Sequence, residues 1–104
     1  MTQKFKSLEV IMKSILQKTK ECYVCHSKVG LHYHHIFFGK NRDMSDKNGF
    51  TCYLCHNHHE GTFGVHGKYG KDLDTRLKVE CQKKFEETHS REEFMLLTFK
   101  NYIM

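Results

Sequence analysis

The sequence predicts one small domain of the α+β class that depends on bound metal. The chain has 104 residues, a length typical of a single domain. Only 38% of them are hydrophobic, against roughly 45–50% in an average soluble domain. Helical periodicity occurs near both ends, whereas residues 21–70 lack it and hold short apolar segments between turns. The chain has five Cys and nine His, and eight of the nine His lie within residues 26–66, a composition typical of metal binding. A bound metal would compensate for the small hydrophobic core.

The first predicted element is a basic amphipathic helix over residues 1–20. Phe5, Leu8, Met12 and Ile15 recur every three or four residues, and the apolar period stops near Thr19. Five Lys and one Glu lie in this segment, so most of the formal charge of +5 is concentrated there. This charge is compatible with a nucleic-acid partner and equally with a solvated helix face.

The middle of the chain, residues 21–70, is expected to hold two strands. Residues 31–38 predict the first strand and residues 50–54 the second, with a loop over residues 39–49 between them. The composition of this loop suits either solvent or phosphate. Its polar members are Lys40, Asn41, Arg42, Ser45 and Lys47.

Residues 71–104 predict two further helices. The first is a long helix in which apolar residues recur every four positions on one face, with Asp72 as its candidate N-cap. Ser90 and Glu93 fit the capping box of a short helix. Cys81 lies on the apolar face and is interpreted as a small buried hydrophobe. The expected inward-facing residues are Leu73, Leu77, Cys81, Phe85, Phe94, Leu97 and Tyr102.

A Cys-x-x-Cys pair, Cys22 and Cys25, can chelate one tetrahedral Zn²⁺ from a tight turn. Two sets of residues compete to complete the site: Cys52 with Cys55, or Cys55 with His58. Cys52 alternates with its neighbours as an ordinary strand residue, whereas Cys55 ends the strand, where a zinc loop should start. The sequence therefore favours Cys22, Cys25, Cys55 and His58, with the four-cysteine set as the alternative.

The cysteine count also bears on location. An odd number of cysteines, without an apolar N-terminal run long enough for a signal peptide or a membrane span, argues against a secreted disulfide scaffold. We therefore expect a reducing, cytoplasmic environment and no membrane association.

The adjacent pair His34 and His35 indicates catalysis. Neighbouring strand residues point to opposite faces, so one imidazole can bind a metal while the other stays free. A metal held by imidazoles, with positions open to substrate oxygens, is a catalytic arrangement. A free neutral imidazole can take a proton from water near pH 7. Further histidines available to such a site are His59 and His66, with His26, His32 and His56 in reserve.

In this order the motifs resemble the HNH endonucleases of the His-Me finger group. Their usual pattern is Cys-x-x-Cys, then Asp or His followed by His, then Asn, then Leu-Cys-x-x-Cys-His. Among them, small phage-encoded proteins such as the RecA-dependent recombination-enhancement nucleases are similar in HHIFFGKNR, LCHNHHEGTFGVH and LKVECQKKFEETHSREEF. The likeness runs from residue 21 to the C-terminus. It implies a ββα-metal, treble-clef-like core with a structural zinc and flanking helices.

The resemblance also implies roles for individual histidines. His35 matches the general base, and His34 and His59 match ligands of a catalytic ion. Many relatives have a further ligand four residues after the second of these, where this chain has Phe63. His66 is therefore the expected third ligand.

The resemblance requires one asparagine to brace the loop that holds the base, and either Asn48 or Asn41 can fill this role. It further implies hydrolysis of DNA to 5′-phosphate and 3′-hydroxyl ends, with a recombinase filament or another phage DNA-metabolism protein as a candidate partner. Mg²⁺ or Mn²⁺ is the expected working ion, and imidazole ligands also suit Zn²⁺ or Ni²⁺. The alternative is a non-catalytic zinc module that binds nucleic acid or protein. The expected DNA contacts are Lys40, Arg42 and Lys47.

Overall fold

The computed structural model describes residues 12–103, and it confirms a small α+β fold. One two-stranded antiparallel sheet and four α-helices make up this part of the chain. The elements in order are β1 (Leu31–His35), α1 (Arg42–Asn48), β2 (Thr51–Cys55), α2 (His56–His59), α3 (Lys71–Phe85) and α4 (Arg91–Thr98), with a 3₁₀ turn at Gly39–Asn41 before α1.

The register of the sheet places the two ends of the candidate site. Leu31 lies opposite Cys55, and His35 lies opposite Thr51. β2 is almost wholly buried, as expected for a strand covered on both faces. Since β2 leads directly into α2, the end of β2 positions the residues that follow it.

The first strand is shorter than predicted. β1 ends at His35 rather than near residue 38, because Phe37 leaves the sheet and packs into the core. The backbone of Phe37 bonds to a side chain instead of a strand: Ser45 Oγ accepts from its N–H at 3.2 Å and donates to its carbonyl at 2.7 Å.

The predicted loop over residues 39–49 is also wrong, because most of it is helical. A 3₁₀ turn leads into α1, which ends at Gly49. Gly49 adopts a left-handed conformation with φ of 72°, and its N–H bonds to Ser45 O, which is a common helix ending.

The described part of the predicted N-terminal helix, residues 12–20, forms no helix. Its backbone bonds to neighbouring elements: Met12 N–H donates to Asp46 O at 2.7 Å, and Ile15 N–H donates to Gly49 O at 2.9 Å. The apolar side chains thus pack from an irregular segment rather than from a helix face. The rest of the predicted helix, residues 1–11, lies outside the described residues.

The core lies between the sheet and the two C-terminal helices. Phe50 contacts Phe37, Phe85 and Phe94 with ring centroids 5.4–5.9 Å apart. Cys81 is fully buried among these side chains, which confirms its interpretation as a core residue. Inward packing of Leu73, Leu77, Phe85, Phe94, Leu97 and Tyr102 is also confirmed.

The helix ends agree in part with the sequence. The capping box is present, because Ser90 Oγ accepts from Glu93 N–H at 3.0 Å and Glu93 Oε1 accepts from Ser90 N–H at 2.8 Å. The N-cap of α3 is Gly70 instead of Asp72, which lies in the first turn, where its charge suits the helix dipole. Within residues 12–103, no helix has both the length and the apolar character needed to cross a membrane.

Candidate metal centres

Three cysteines and one histidine form a cluster that could hold a metal ion. The ligand atoms of Cys22, Cys25, Cys55 and His58 all lie within 4.8 Å of one another. Cys55 Sγ is 3.2 Å and Cys22 Sγ 3.6 Å from His58 Nδ1, and the Sγ atoms of Cys25 and Cys55 are 3.8 Å apart. Tetrahedral zinc, bonded to sulfur at about 2.3 Å and nitrogen at about 2.0 Å, places its ligands roughly 3.5–3.8 Å apart. The set is therefore compatible with structural zinc.

The first two cysteines of this cluster lie in a tight turn. Cys22 N–H donates to Ser27 O, and Cys22 O accepts from His26 N–H, both at 2.8 Å. Burial raises the pKa of the Cys22 thiol, but N–H donors of the turn and of Cys55 outweigh it and lower the pKa to about 6. Cys22 is thus ready to bind metal as a thiolate near neutral pH.

Cys52 lies outside the cluster, as the strand alternation predicted. It is 1% exposed and packs into the core from β2. Burial raises the pKa of its thiol to about 12, so it stays protonated at neutral pH. All five cysteines are free of disulfides, and the choice of His58 over Cys52 agrees with the geometry.

A second cluster consists of His34, His59 and His66, whose ligand atoms also lie within 4.8 Å of one another. Their ring centroids are 4.8–5.3 Å apart. His34 is 1% exposed, and its Nε2 has no hydrogen-bond partner among residues 12–103. Burial and the neighbouring histidines lower the pKa of His34 to about 3, so its ring is neutral. A buried, neutral and unbonded imidazole nitrogen is well suited to bind a divalent cation.

A repeat of glycines holds His66 at this cluster. Gly61, Gly64, Gly67 and Gly70 recur every third residue, and each N–H from Gly64 onward bonds to the carbonyl of the preceding glycine at 2.8–3.2 Å. A Cβ at Gly67 or Gly70 would overlap the carbonyl oxygen of Gly61 or Gly64. We refer to residues 61–70 as the glycine-repeat loop. The period of three is visible in the sequence and could have indicated a compact loop.

The glycine-repeat loop is bonded to α2. Val65 N–H donates to His58 O at 3.0 Å, and His66 N–H donates to His59 O at 2.9 Å. These bonds place His66 beside His59, and they connect the loop to the helix that carries His58. The two clusters therefore share one support.

His32, which the sequence left in reserve, orients His59. The two Nδ1 atoms are 2.9 Å apart, so one ring donates a hydrogen bond to the other. Metal-binding histidines usually bond through their second nitrogen to such a partner, which fixes the ring. This contact leaves Nε2 of His59 for an ion.

His35 lies beside the histidine cluster and makes a different contact. Its Nε2 is 2.9 Å from Asp46 Oδ1 on α1. With Nε2–H donating a hydrogen bond to the carboxylate, the neutral ring carries its lone pair on Nδ1. Sequence reasoning missed Asp46, because α1 was predicted to be a loop.

The side-chain contacts of Asn48 and Asn41 do not identify which of them braces the segment after His35. Asn48 Nδ2 donates to Met44 O of its own helix at 2.8 Å, and Asn41 precedes α1 without a side-chain capping bond. Ser45 instead binds the backbone of Phe37, as described above. These contacts show no bracing bond from Asn48 or Asn41 to the segment after His35 within residues 12–103, and the bracing role stays a prediction.

The histidine cluster and His35 line one cleft of about 550 Å³. Its walls include His34, His35, His59, His66 and Arg42. Lys40 and Arg42 also line an adjoining cavity with His35 and Asp46, whereas Lys47 lines neither and lies in the last turn of α1.

Comparison with known proteins assigns no family. No protein-family model matches the chain, and no curated protein or solved structure matches it. The function is therefore inferred from the geometry of the site.

Proposed function

We propose that the protein is a metal-dependent endonuclease of the HNH type that hydrolyses DNA phosphodiester bonds. The observation that carries this proposal is that His35, held by Asp46, opens into the same cleft as the cluster of His34, His59 and His66. A base and a set of metal ligands in one cleft are the parts that metal-assisted hydrolysis needs.

His35 is the proposed general base. Its bond to Asp46 fixes the imidazole and leaves Nδ1 to accept a proton from the attacking water. The side chain is 16% exposed, so water and a phosphate can approach it. A positioned base of this kind typically contributes about 10²- to 10⁴-fold to the rate.

The three clustered histidines are the proposed ligands of the catalytic ion. A bound divalent ion would stabilise charge on a phosphate oxygen and on the departing 3′ oxygen. His34 can bind the ion through a free nitrogen lone pair, because its lowered pKa keeps the ring neutral. Arg42 adds a permanent positive charge at the rim of the cleft, where a phosphate would enter. Mg²⁺ or Mn²⁺ is the proposed working ion.

Zinc at the Cys3His cluster has a structural role in this proposal. It would join the turn at Cys22 to the end of β2 and to α2. His58 in α2 belongs to this cluster, and the next residue, His59, belongs to the catalytic one. The hairpin of β1 and β2 followed by α2 supports a ββα-metal core. A recombinase filament or another phage protein is a candidate partner by resemblance alone.

Nicking of supercoiled plasmid in Mg²⁺ or Mn²⁺ tests the proposal. We expect nicks with 5′-phosphate and 3′-hydroxyl ends, and rates about 10²- to 10⁴-fold lower for His35→Ala. Asp46→Asn should slow the reaction by a smaller factor, since the base remains. His89→Ala, which removes a surface histidine outside the cleft, is the matched control. Equal nicking rates for His35→Ala and the wild type would contradict His35 as the base, and a wild type that does not nick would favour the non-catalytic zinc module.

A further inference from the structure

A groove of about 760 Å³ lies next to the cleft and has no part in the proposed hydrolysis. The segment of residues 12–20 forms one wall and β2 forms the floor. Three lysines line it, Lys13, Lys18 and Lys20, and no acidic side chain of residues 12–103 does. We call this feature the lysine groove.

The wall of the lysine groove is fixed to the sheet. Ser14 Oγ donates a hydrogen bond to the carbonyl of Thr51. Gln17 Oε1 accepts from Tyr53 N–H at 2.6 Å. Both bonds tie the irregular segment to β2, so the groove is a built feature of the fold within the described residues.

The charge of the lysine groove suits a polyanion. All three lysines are exposed, and within residues 12–103 none of them forms an ion pair. The Nζ of Lys20 lies 5.3 Å from the ring centroid of Tyr53, so charge and aromatic surface adjoin. Lysines next to aromatic rings are typical of surfaces that bind single-stranded nucleic acid.

Tyr33 connects the lysine groove to the cleft, because it lines both. Its ring is edge-on to His35 at 5.2 Å and to Tyr53 at 5.6 Å. The three rings form a row from the proposed base to the lysines. Tyr33 is 43% exposed, which leaves ring surface open for a planar ligand.

We propose that the lysine groove binds an unpaired strand of nucleic acid that continues from the cleft. The lysines contact its phosphates, and Tyr33 stacks on one of its bases. An unpaired strand is specified because stacking needs a base whose face is free, whereas a duplex covers these faces. The path of the strand from the cleft into the lysine groove rests on the proposed function, but binding in the groove does not require cleavage.

The first test measures the salt dependence of binding to a labelled single-stranded oligonucleotide, without added Mg²⁺ or Mn²⁺ and with zinc bound. Each lost phosphate contact lowers the slope of log K against log salt by about 0.7 for a single strand. The triple variant Lys13→Gln, Lys18→Gln, Lys20→Gln should lower the slope by about 2. Between 50 and 200 mM salt, the wild type should then lose about 20-fold more affinity than the variant.

The matched control is a second triple variant that removes the same charge from exposed lysines outside the groove. It is Lys28→Gln, Lys71→Gln, Lys100→Gln. Equal slopes for the two triple variants would overturn the proposal. So would equal binding of a hairpin duplex and the single strand, or binding of neither, which would point to a protein partner.

The second test reports on stacking. The chain has no Trp, so Tyr33→Trp places the only tryptophan of the variant in the groove. A saturating single strand should quench its emission, while Phe99→Trp, at an 82% exposed position outside the groove, should not respond. An unchanged emission at saturation would contradict stacking at this position. If binding and quenching occur but plasmid is never cut, the groove stands and the nuclease proposal fails. If plasmid is cut but the two triple variants have equal salt slopes, the nuclease proposal stands and the groove proposal fails.

Discussion

Replacing Gly64 with alanine should detach His66 from the histidine cluster. A Cβ at this position would lie 2.6 Å from the carbonyl carbon of His58, 2.7 Å from Asn57 O and 2.8 Å from His59 N. All three are backbone atoms of α2, so no side-chain rotation can relieve the overlap. The glycine-repeat loop must therefore move away from α2.

The required displacement is large on the scale of metal coordination. The loop has to retreat by about 0.4 Å to reach even the closest contact of 3.0 Å that Cβ atoms tolerate. Metal–ligand distances hold within about 0.2 Å. The bonds from Val65 N–H to His58 O and from His66 N–H to His59 O, now 3.0 and 2.9 Å, would lengthen as well. We expect this overpacking to cost about 1–3 kcal/mol of stability.

Titration calorimetry of the zinc-loaded protein with Mn²⁺ measures the effect. Gly64→Ala should bind the second ion about 10- to 100-fold more weakly, which is the loss typical of a disturbed ligand support. Its zinc should stay, because none of the four proposed zinc ligands lies on the loop. Gly30→Ala is the matched control: Gly30 has a φ of 61°, and no atom of residues 12–103 lies within 4 Å of a Cβ there, so that variant incurs only backbone strain. Wild-type affinity for Mn²⁺ in Gly64→Ala would refute this account of the loop.

Three further predictions concern zinc, charge and folding. Cys25→Ser should lose zinc and unfold, because the metal supplies much of the roughly 5–15 kcal/mol by which a domain is stable. Cys52→Ala should keep one zinc by elemental analysis. A folded, zinc-free Cys25→Ser protein would contradict this prediction. Arg42→Gln should lower the salt slope of duplex DNA binding by about 0.9, and an unchanged slope would remove Arg42 from the phosphate contacts. Ser90→Ala should lower the free energy of unfolding by about 1 kcal/mol in urea titrations, through loss of the capping box, and no change would show that the cap is dispensable.

The Cys3His cluster could be predicted from the sequence because local spacing determines each of its two pairs, whereas the ligand set of His34, His59 and His66 came from the resemblance alone. Cys22 and Cys25 share one turn, and Cys55 and His58 share the junction of β2 and α2, so few geometries are open to either pair. Strand alternation favoured His58 over Cys52 by the same local reasoning, with the four-cysteine set as the alternative. Such short-range constraints do not depend on how the rest of the chain folds.

The irregular conformation of residues 12–20 could not be predicted in this way. The apolar period suits a helix, but Met12 and Ile15 give their N–H groups to Asp46 and Gly49, which lie more than 30 residues away in the chain. Partners at such distances determine the conformation, and the local pattern does not contain them.

Asp46 was missed for a related reason. Its role depends on α1 bringing it back to His35, eleven residues earlier. The stretch before Gly49 is polar, which predicts a loop, although the glycine also fits a helix end. Once α1 is recognised, Asp46 and Ser45 both fall next to the end of β1.

The rate of plasmid cleavage against metal concentration, for His34→Ala and His35→Ala side by side, tests the central claim most directly. His34→Ala loses one of three proposed ligands, so its rate should recover in part as Mg²⁺ or Mn²⁺ is raised. His35→Ala keeps the ligands and loses the base, so it should stay about 10²- to 10⁴-fold slow at every concentration. Rescue of His35→Ala but not of His34→Ala would reverse the two roles. Wild-type cleavage by both variants would contradict the assignment of an HNH nuclease.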